Sequence, residues 1–172
     1  MTQEPQIPEP DYDDPMEIYA FFGLTFYKAN VLEHGVMNLA VALLAKDVPG
    51  VTVGHVDRLY ESFDKKTFGQ IMNAAKAGFD FSDSFAKELK VALDHRNYLA
   101  HRFFIVHDID ILTESGRRKM IDELIEILKH LKKVDREMDE MWMSAWKHLG
   151  ITKEWIEEQM QKYVAHRRAS DA

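Results

Sequence analysis

Apolar residues recur at steps of three and four over an unusually long stretch in the second half of this chain. They are Ile121, Leu124, Leu128, Leu131, Val134, Met138, Met141 and Ala145. This spacing places them on one side of an α-helix, and charged residues fill the other side. We predict one helix from about Glu114 to Lys147, with Thr113 as its N-cap and Gly150 as its stop. The apolar side of so long a helix needs other helices to cover it.

The rest of the chain follows the same helical period. A helix is predicted from Met16 to about Lys46 and ends before Pro49-Gly50, and shorter helices are predicted at 55–64 and 68–78. Ser82 or Asp83 is a good N-cap for the next helix, whose core stripe is Phe85, Leu89, Ala92, Leu99 and Phe103. Thr152 caps the last helix. No alternation long enough for a strand is visible, so the predicted fold is an all-α antiparallel bundle of four to five main helices.

Composition sets the domain organisation. A chain of 172 residues is long enough for one domain with a sizeable core. Residues 1–14 hold three of the five prolines together with Glu and Asp, and such a segment buries too little apolar surface to offset its ordering entropy. We therefore expect a flexible arm at 1–14, a single helical domain at 15–168 and a short tail at 169–172.

The net charge, the absence of cysteine and the absence of a long apolar run limit which functions this chain can have. The chain has no cysteine, which excludes disulfides and thiolate zinc sites. The N-terminus lacks the pattern of a signal peptide and no apolar run could span a bilayer, so we expect a cytoplasmic protein. The net charge of −7 argues against broad electrostatic binding to duplex nucleic acid. A chain with this charge can still have a small basic cleft.

The helix that begins near Ser82 ends in the segment Arg96-Asn97-Tyr98-Leu99-Ala100-His101. Asn97 and His101 are four residues apart and therefore share one face of the helix. Arg96 falls in the core stripe between Ala92 and Leu99. A guanidinium at such a position faces a partner, a pocket or a subunit boundary, or it reaches solvent with its stem packed.

This segment resembles the Arg-x4-His motif of the HEPN superfamily (higher eukaryote and prokaryote nucleotide-binding domain). The resemblance implies a metal-independent endoribonuclease, a toxin or phage-defence component, that cleaves RNA through the ribose 2′-hydroxyl to a 2′,3′-cyclic phosphate. Arg96, His101 and Asn97 would be catalytic, and Arg102 and Lys66 would bind a short stretch of RNA. It also implies a homodimer in which two such helices form one composite site, and an antitoxin or a nucleotidyltransferase as a partner.

One position departs from a branch of that family. The branch that pairs with a nucleotidyltransferase carries a modifiable tyrosine two residues after the histidine, and this chain has Phe103 there. Regulation through that tyrosine is therefore not expected.

Other functions stay open at this point. The chain could be a non-catalytic HEPN-like module that binds nucleotides or proteins, or a helical assembly scaffold. A metal site of His95, His101 and His107 with Asp94 or Asp108 is disfavoured, because a six-residue spacing points successive side chains in different directions round a helix. No cofactor motif is present, so we predict neither a metal nor a cofactor.

Overall fold

The computed structural model describes residues 7–170, and this part of the chain is helical with no β-strand. Its elements are α1 Glu17–Ala45, α2 Val53–Phe63, α3 Phe68–Gly78, α4 Asp83–His101, α5 Phe103–Val106, a 3₁₀ turn at Asp110–Leu112, α6 Glu114–Lys147 and α7 Lys153–Ser170. The predicted all-α fold is confirmed, and α6 has the predicted bounds. The short helix α5 was not predicted.

The described chain divides into two compact units. The first contains residues 7–35 and 80–138, and the second contains residues 36–79 and 139–170, so that α1 and α6 contribute to both. The domain boundaries predicted from composition stay a prediction. Residues 1–6 of the expected arm and 171–172 of the expected tail lie outside the described residues.

In the first unit the predicted apolar stripes form the core. All five residues of the stripe that runs from Phe85 to Phe103 are buried. Six residues of the α6 stripe, from Ile121 to Met138, are buried as well. Helix α1 contributes Ile18, Ala29 and Leu32, together with a buried Thr25. Burying such side chains stabilises a fold by about 1.5–3 kcal/mol each, which explains why these stripes determine the first unit.

Polar contacts fix the α1 part of this unit to α6. The Thr25 hydroxyl donates to the carbonyl oxygen of Leu124 at 3.3 Å, and Lys28 forms an ion pair with the buried carboxylate of Asp135. The segment before α1 is also attached, since Tyr12 donates a hydrogen bond to Asp122 and Arg118 lies 4.1 Å from the centre of the Tyr12 ring.

The second unit has its own core. Thr52 and Thr67 each form a capping box with the residue three positions on, and these start α2 and α3. The core of α2 and α3 consists of Phe63, Phe68, Ile71, Met72 and Ala75. At the end of α6, Trp146 is the buried residue, whereas Met141 and Ala145, predicted on the apolar side, are half-buried.

Gly150 ends the α6 segment as predicted, with a φ of +80° that only glycine adopts readily. The hydroxyl of Thr152 then accepts a hydrogen bond from the Trp155 N–H at 3.3 Å and starts α7. Within residues 7–170, no helix combines the length and the apolar composition needed to cross a membrane.

Candidate functional site

Helix α4 carries the motif in its last two turns. The helix begins where the Ser82 hydroxyl accepts a hydrogen bond from the Phe85 N–H at 3.2 Å, and its last residue is His101. The N–H of Arg102 donates to the carbonyl of Tyr98 at 2.8 Å, and the chain then turns into α5. The motif residues therefore lie at a helix end that a buried core stripe holds in place.

Arg96 is half-buried against α1. Its Nε lies 3.4 Å from Oε2 of Glu33, with 27% of the Arg96 side chain exposed. The pair has ion-pair distance without hydrogen-bond geometry, and Nε has no hydrogen-bond partner among residues 7–170. Glu33 therefore accounts for the arginine in the core stripe, so a subunit boundary is not needed to explain that position. Within residues 7–170, no hydrogen bond engages the terminal guanidinium nitrogens of Arg96.

Asn97, His101 and Arg102 are exposed. Within residues 7–170 no hydrogen bond or ion pair engages the imidazole of His101, so both ring nitrogens are accessible to a ligand. Asn97 lies one turn before His101 on the same face, as the spacing predicts. The α4 end thus brings an amide and an imidazole together on its outer surface, next to the exposed guanidinium of Arg102.

Arg96 and His101 do not share that face. Five helical steps separate their Cα atoms by roughly 140° around the axis and about 7.5 Å along it. One copy of α4 therefore presents the guanidinium of Arg96 toward α1 and the imidazole of His101 toward solvent.

Lys66, predicted to bind RNA, belongs to the second unit. Its ammonium lies 4.7 Å from the centre of the Phe63 ring. A role for Lys66 in binding RNA stays a prediction.

An exposed apolar patch follows the motif. We use this name for Phe104, Ile105, Val106, Ile109 and Leu112, which are between 37% and 72% exposed. Phe103, predicted in the core stripe, is buried against the rings of Phe22, Tyr98 and His107. Five apolar side chains are thus exposed within nine consecutive residues.

A buried histidine, His107, organises the chain after the motif. Its Nδ1 lies 2.7 Å from a carboxylate oxygen of Asp110, and its Nε2 lies 3.0 Å from Glu123 and 3.3 Å from the Tyr98 hydroxyl. The side chain is 1% exposed. These contacts connect the turn after α5 to α6, which carries Glu123.

Sequence reasoning missed this role of His107 and considered it only as a disfavoured metal ligand. The three-residue separation of His107 and Asp110 was the available signal, whereas Glu123 is sixteen residues away and could not be foreseen. A glycine completes the arrangement, because a Cβ at Gly116 would overlap the backbone of Asp110. The turn at Asp110 can therefore approach the start of α6 this closely only because residue 116 has no side chain.

The carboxylate of Asp110 gives a testable electrostatic prediction. The hydrogen bond from Lys119, at 2.8 Å, and then that from His107 hold the pKa of Asp110 below its usual value. A depressed pKa favours the folded state above the usual carboxylate pKa, and this contribution is lost as the pH falls through the folded-state pKa. Lys119→Met should raise the pKa of Asp110, measured by NMR titration of its carboxyl carbon. Lys129→Met, which removes a comparably exposed lysine of α6, should leave it unchanged; equal values in both variants would refute the assignment.

The three histidines of the disfavoured metal site occupy different surroundings. His101 is exposed, His107 is buried between two carboxylates, and the ring centre of His95 lies 5.2 Å from that of His130. Burial, and then the neighbouring His130, lower the pKa of His95. His130 in turn lies 2.8 Å from a carboxylate oxygen of Glu88, so this cluster ties α4 to α6.

In residues 7–170, no group of three or more histidine, aspartate or glutamate side chains is arranged to hold a metal ion. No known protein family, curated protein or solved structure compared with this chain matches it.

Proposed function

We propose that this protein is a metal-independent endoribonuclease of the HEPN type that cleaves RNA through the ribose 2′-hydroxyl. The supporting observation is the end of α4, where an unpaired exposed imidazole lies one turn from an exposed amide and adjoins an exposed arginine. The imidazole and the amide match the proton carrier and the orienting group that RNA transesterification needs, and Arg102 supplies a permanent positive charge for binding the RNA phosphates.

Each of these groups has a role in the reaction. A neutral imidazole takes the proton of the 2′-hydroxyl, whose oxygen attacks the adjacent phosphorus. The bond from phosphorus to the 5′-oxygen breaks, and an imidazolium returns a proton to that oxygen. Arg96 stabilises the additional negative charge on the phosphorane, and Asn97 orients His101 or a phosphate oxygen. The products are a 2′,3′-cyclic phosphate and a 5′-hydroxyl.

Two copies of the motif complete this chemistry. One imidazole is neutral or protonated at a given moment, while the reaction uses both forms on opposite sides of the phosphorus. Within one copy, Arg96 and His101 also lie on different sides of α4. A second α4 across a two-fold axis supplies another imidazole and another guanidinium. The apolar patch next to the motif is the surface that we assign to this homodimer.

The RNA footprint should be small. The chain is acidic overall, so affinity has to come from local groups such as Arg102 and Arg96. The cytoplasm is the compartment that we propose. A partner that restrains the activity, an antitoxin or a nucleotidyltransferase, belongs to the same proposal.

The test is cleavage of a 5′-labelled, single-stranded RNA by the purified protein in EDTA. We expect fragments that end in a 2′,3′-cyclic phosphate, and no cleavage of the same sequence with 2′-O-methyl riboses. Fragments with a 3′-hydroxyl, or cleavage only after Mg²⁺ is added, would refute this chemistry.

The dimer gives a separate prediction. Leu112→Asp places a charge in the apolar patch, where Leu112 is 72% exposed. We expect this variant to remain folded, to run as a monomer in analytical ultracentrifugation and to lose RNA cleavage, because a buried charge opposes association.

Val53→Asp is the matched control. Val53 is 78% exposed at the first position of α2 in the second unit, so this variant should keep the dimer and the activity. A wild-type protein that is monomeric at micromolar concentration and still cleaves RNA would contradict the composite site.

A further inference from the structure

The second unit contains a pocket that the proposed ribonuclease chemistry does not use. Its volume is about 270 Å³, and it is lined by Asn38, Tyr60, Trp142, Trp146, Ile151 and Ile156. All six residues belong to the second unit, with contributions from α1, α2, α6, α7 and the turn before α7.

Indole and aliphatic groups dominate the lining. Trp146 is 5% exposed, and the N–H of Trp142 is already donated to Asp139 at 2.8 Å. Trp142 therefore needs no polar group from a ligand. Flat indole surfaces with two isoleucines favour a planar aromatic molecule, since offset or edge-to-face ring contacts add to the gain from apolar burial. A pocket of this volume accommodates a bicyclic ring system.

One pair of polar side chains, Tyr60 and Asn38, gives the pocket its hydrogen-bonding groups. The Tyr60 hydroxyl donates a hydrogen bond to Oδ1 of Asn38 at 2.9 Å. The Tyr60 oxygen can still accept a hydrogen bond, and among residues 7–170 nothing accepts one from the amide nitrogen of Asn38. Burial raises the pKa of Tyr60 to about 12, so its hydroxyl stays neutral at physiological pH. Both residues line the pocket, so the unused acceptor of Tyr60 and the unused donor of Asn38 are its polar groups.

A ligand that satisfies both must carry an N–H and a carbonyl oxygen next to each other, as in a cyclic amide. No lysine, arginine or histidine lines the pocket. A phosphate or carboxylate would find no counter-charge there, and its burial would be costly. We propose that this pocket binds a neutral, planar, bicyclic molecule with a cyclic-amide edge, held between the two tryptophans and the Tyr60–Asn38 pair.

The experiment uses the full chain and two probes of similar size. Quinolin-2(1H)-one carries the cyclic-amide edge, and naphthalene lacks it. Binding is followed by titration of ¹⁵N-labelled protein, with the three indole N–H signals assigned through Trp→Phe variants. Quinolinone should bind 1:1 and shift the signals of Trp142 and Trp146, while that of Trp155, which is 49% exposed and does not line the pocket, stays in place.

Two variants test the polar pair. Asn38→Leu removes the donor and Tyr60→Phe removes the acceptor, and each should weaken quinolinone binding about tenfold while changing naphthalene binding less than about threefold. Thermal melting shows which variants are folded. If Asn38→Leu is not folded, the binding measured with Tyr60→Phe tests the role of the polar pair. The exposed Trp155→Phe is the control and should bind both probes like the wild type.

Three results would overturn the assignment. Failure of both probes to bind would remove the pocket as a ligand site. Equal sensitivity of the two probes to the folded variants would show that the pocket recognises apolar shape alone. Binding of a nucleoside monophosphate as tight as that of quinolinone would refute a neutral ligand. None of these outcomes depends on RNA cleavage.

Discussion

Replacing His101 with alanine should lower the rate of RNA cleavage by about 10²–10⁴-fold, the usual contribution of a positioned proton carrier. His101 is exposed at the last position of α4 and has no hydrogen-bond or ion-pair partner among residues 7–170, so its loss should leave the fold unchanged. The measurement is single-turnover cleavage in EDTA, together with a thermal melt of each variant.

For the other motif residues, the loss of cleavage on substitution should be larger for the charged Arg96 than for the neutral Asn97. Arg96→Ala should abolish cleavage because the phosphorane loses its compensating charge, and Arg96→Lys should recover only part of it because an ammonium lacks the bidentate grip. Asn97→Ala should cost about 1–3 kcal/mol of transition-state stabilisation, the value of one orienting hydrogen bond.

His148→Ala is the matched control for His101. His148 is also exposed, but it lies in the second unit, where its Nδ1 is 2.7 Å from the carbonyl oxygen of Ser144. This variant should cleave RNA at the wild-type rate. Full activity of a folded His101→Ala protein would remove the catalytic role and favour a non-catalytic binding module.

Phe103→Ala should have the largest effect on stability, lowering the free energy of unfolding by about 3–5 kcal/mol. The ring is fully buried, with the ring centre of His107 at 4.8 Å and that of Phe22 at 5.6 Å. Its removal leaves a cavity beside the contacts of His107 with Asp110 and Glu123. Chemical denaturation followed by circular dichroism gives the change.

The neighbouring Phe104→Ala is a sharp control. Phe104 is 37% exposed and should cost the protein much less stability than Phe103. Because Phe104 lies in the apolar patch, its loss should instead weaken self-association. Equal destabilisation by the two variants would contradict the assignment of Phe103 to the core and Phe104 to the interface.

The longer helices were predictable because each is a periodic segment, whereas α5, with four residues, is too short to show a period. The residues from Ile121 to Met138 determine the buried side of α6 by spacing alone, and Thr113 and Gly150 mark where that segment starts and ends. The shared face of Asn97 and His101 also follows from helical spacing, since the two residues are four positions apart.

Pairings across the chain could not be foreseen in this way. Glu33 and Arg96 are 63 positions apart in the sequence, and only packing of α1 against α4 brings Oε2 of Glu33 to 3.4 Å from Nε of Arg96. Glu123 reaches His107 for the same reason. Periodicity predicts which face of a helix a residue occupies but not which residue it contacts, so the ion pair of Arg96 and the burial of His107 could not be predicted from it.

Only part of the pocket in the second unit has a pattern that is visible in the sequence. Trp142 and Trp146 are four residues apart and share a face of α6, a spacing that fits stacking on bases and is more often found in a core or an interface. Asn38 and Tyr60 complete the lining from α1 and α2, and nothing in their local sequence marks them as a pair.

Mixing subunits tests most directly whether two motifs form one ribonuclease site. A fixed amount of wild-type protein is equilibrated with increasing excess of an Arg96→Ala/His101→Ala variant, and RNA cleavage in EDTA is measured. We predict that activity falls toward zero, because the wild-type chains are drawn into dimers that lack one motif. The same variant carrying Leu112→Asp should have no effect, since it cannot pair. Undiminished cleavage in the presence of a large excess of the pairing-competent variant would show that each copy acts alone and would contradict the composite site.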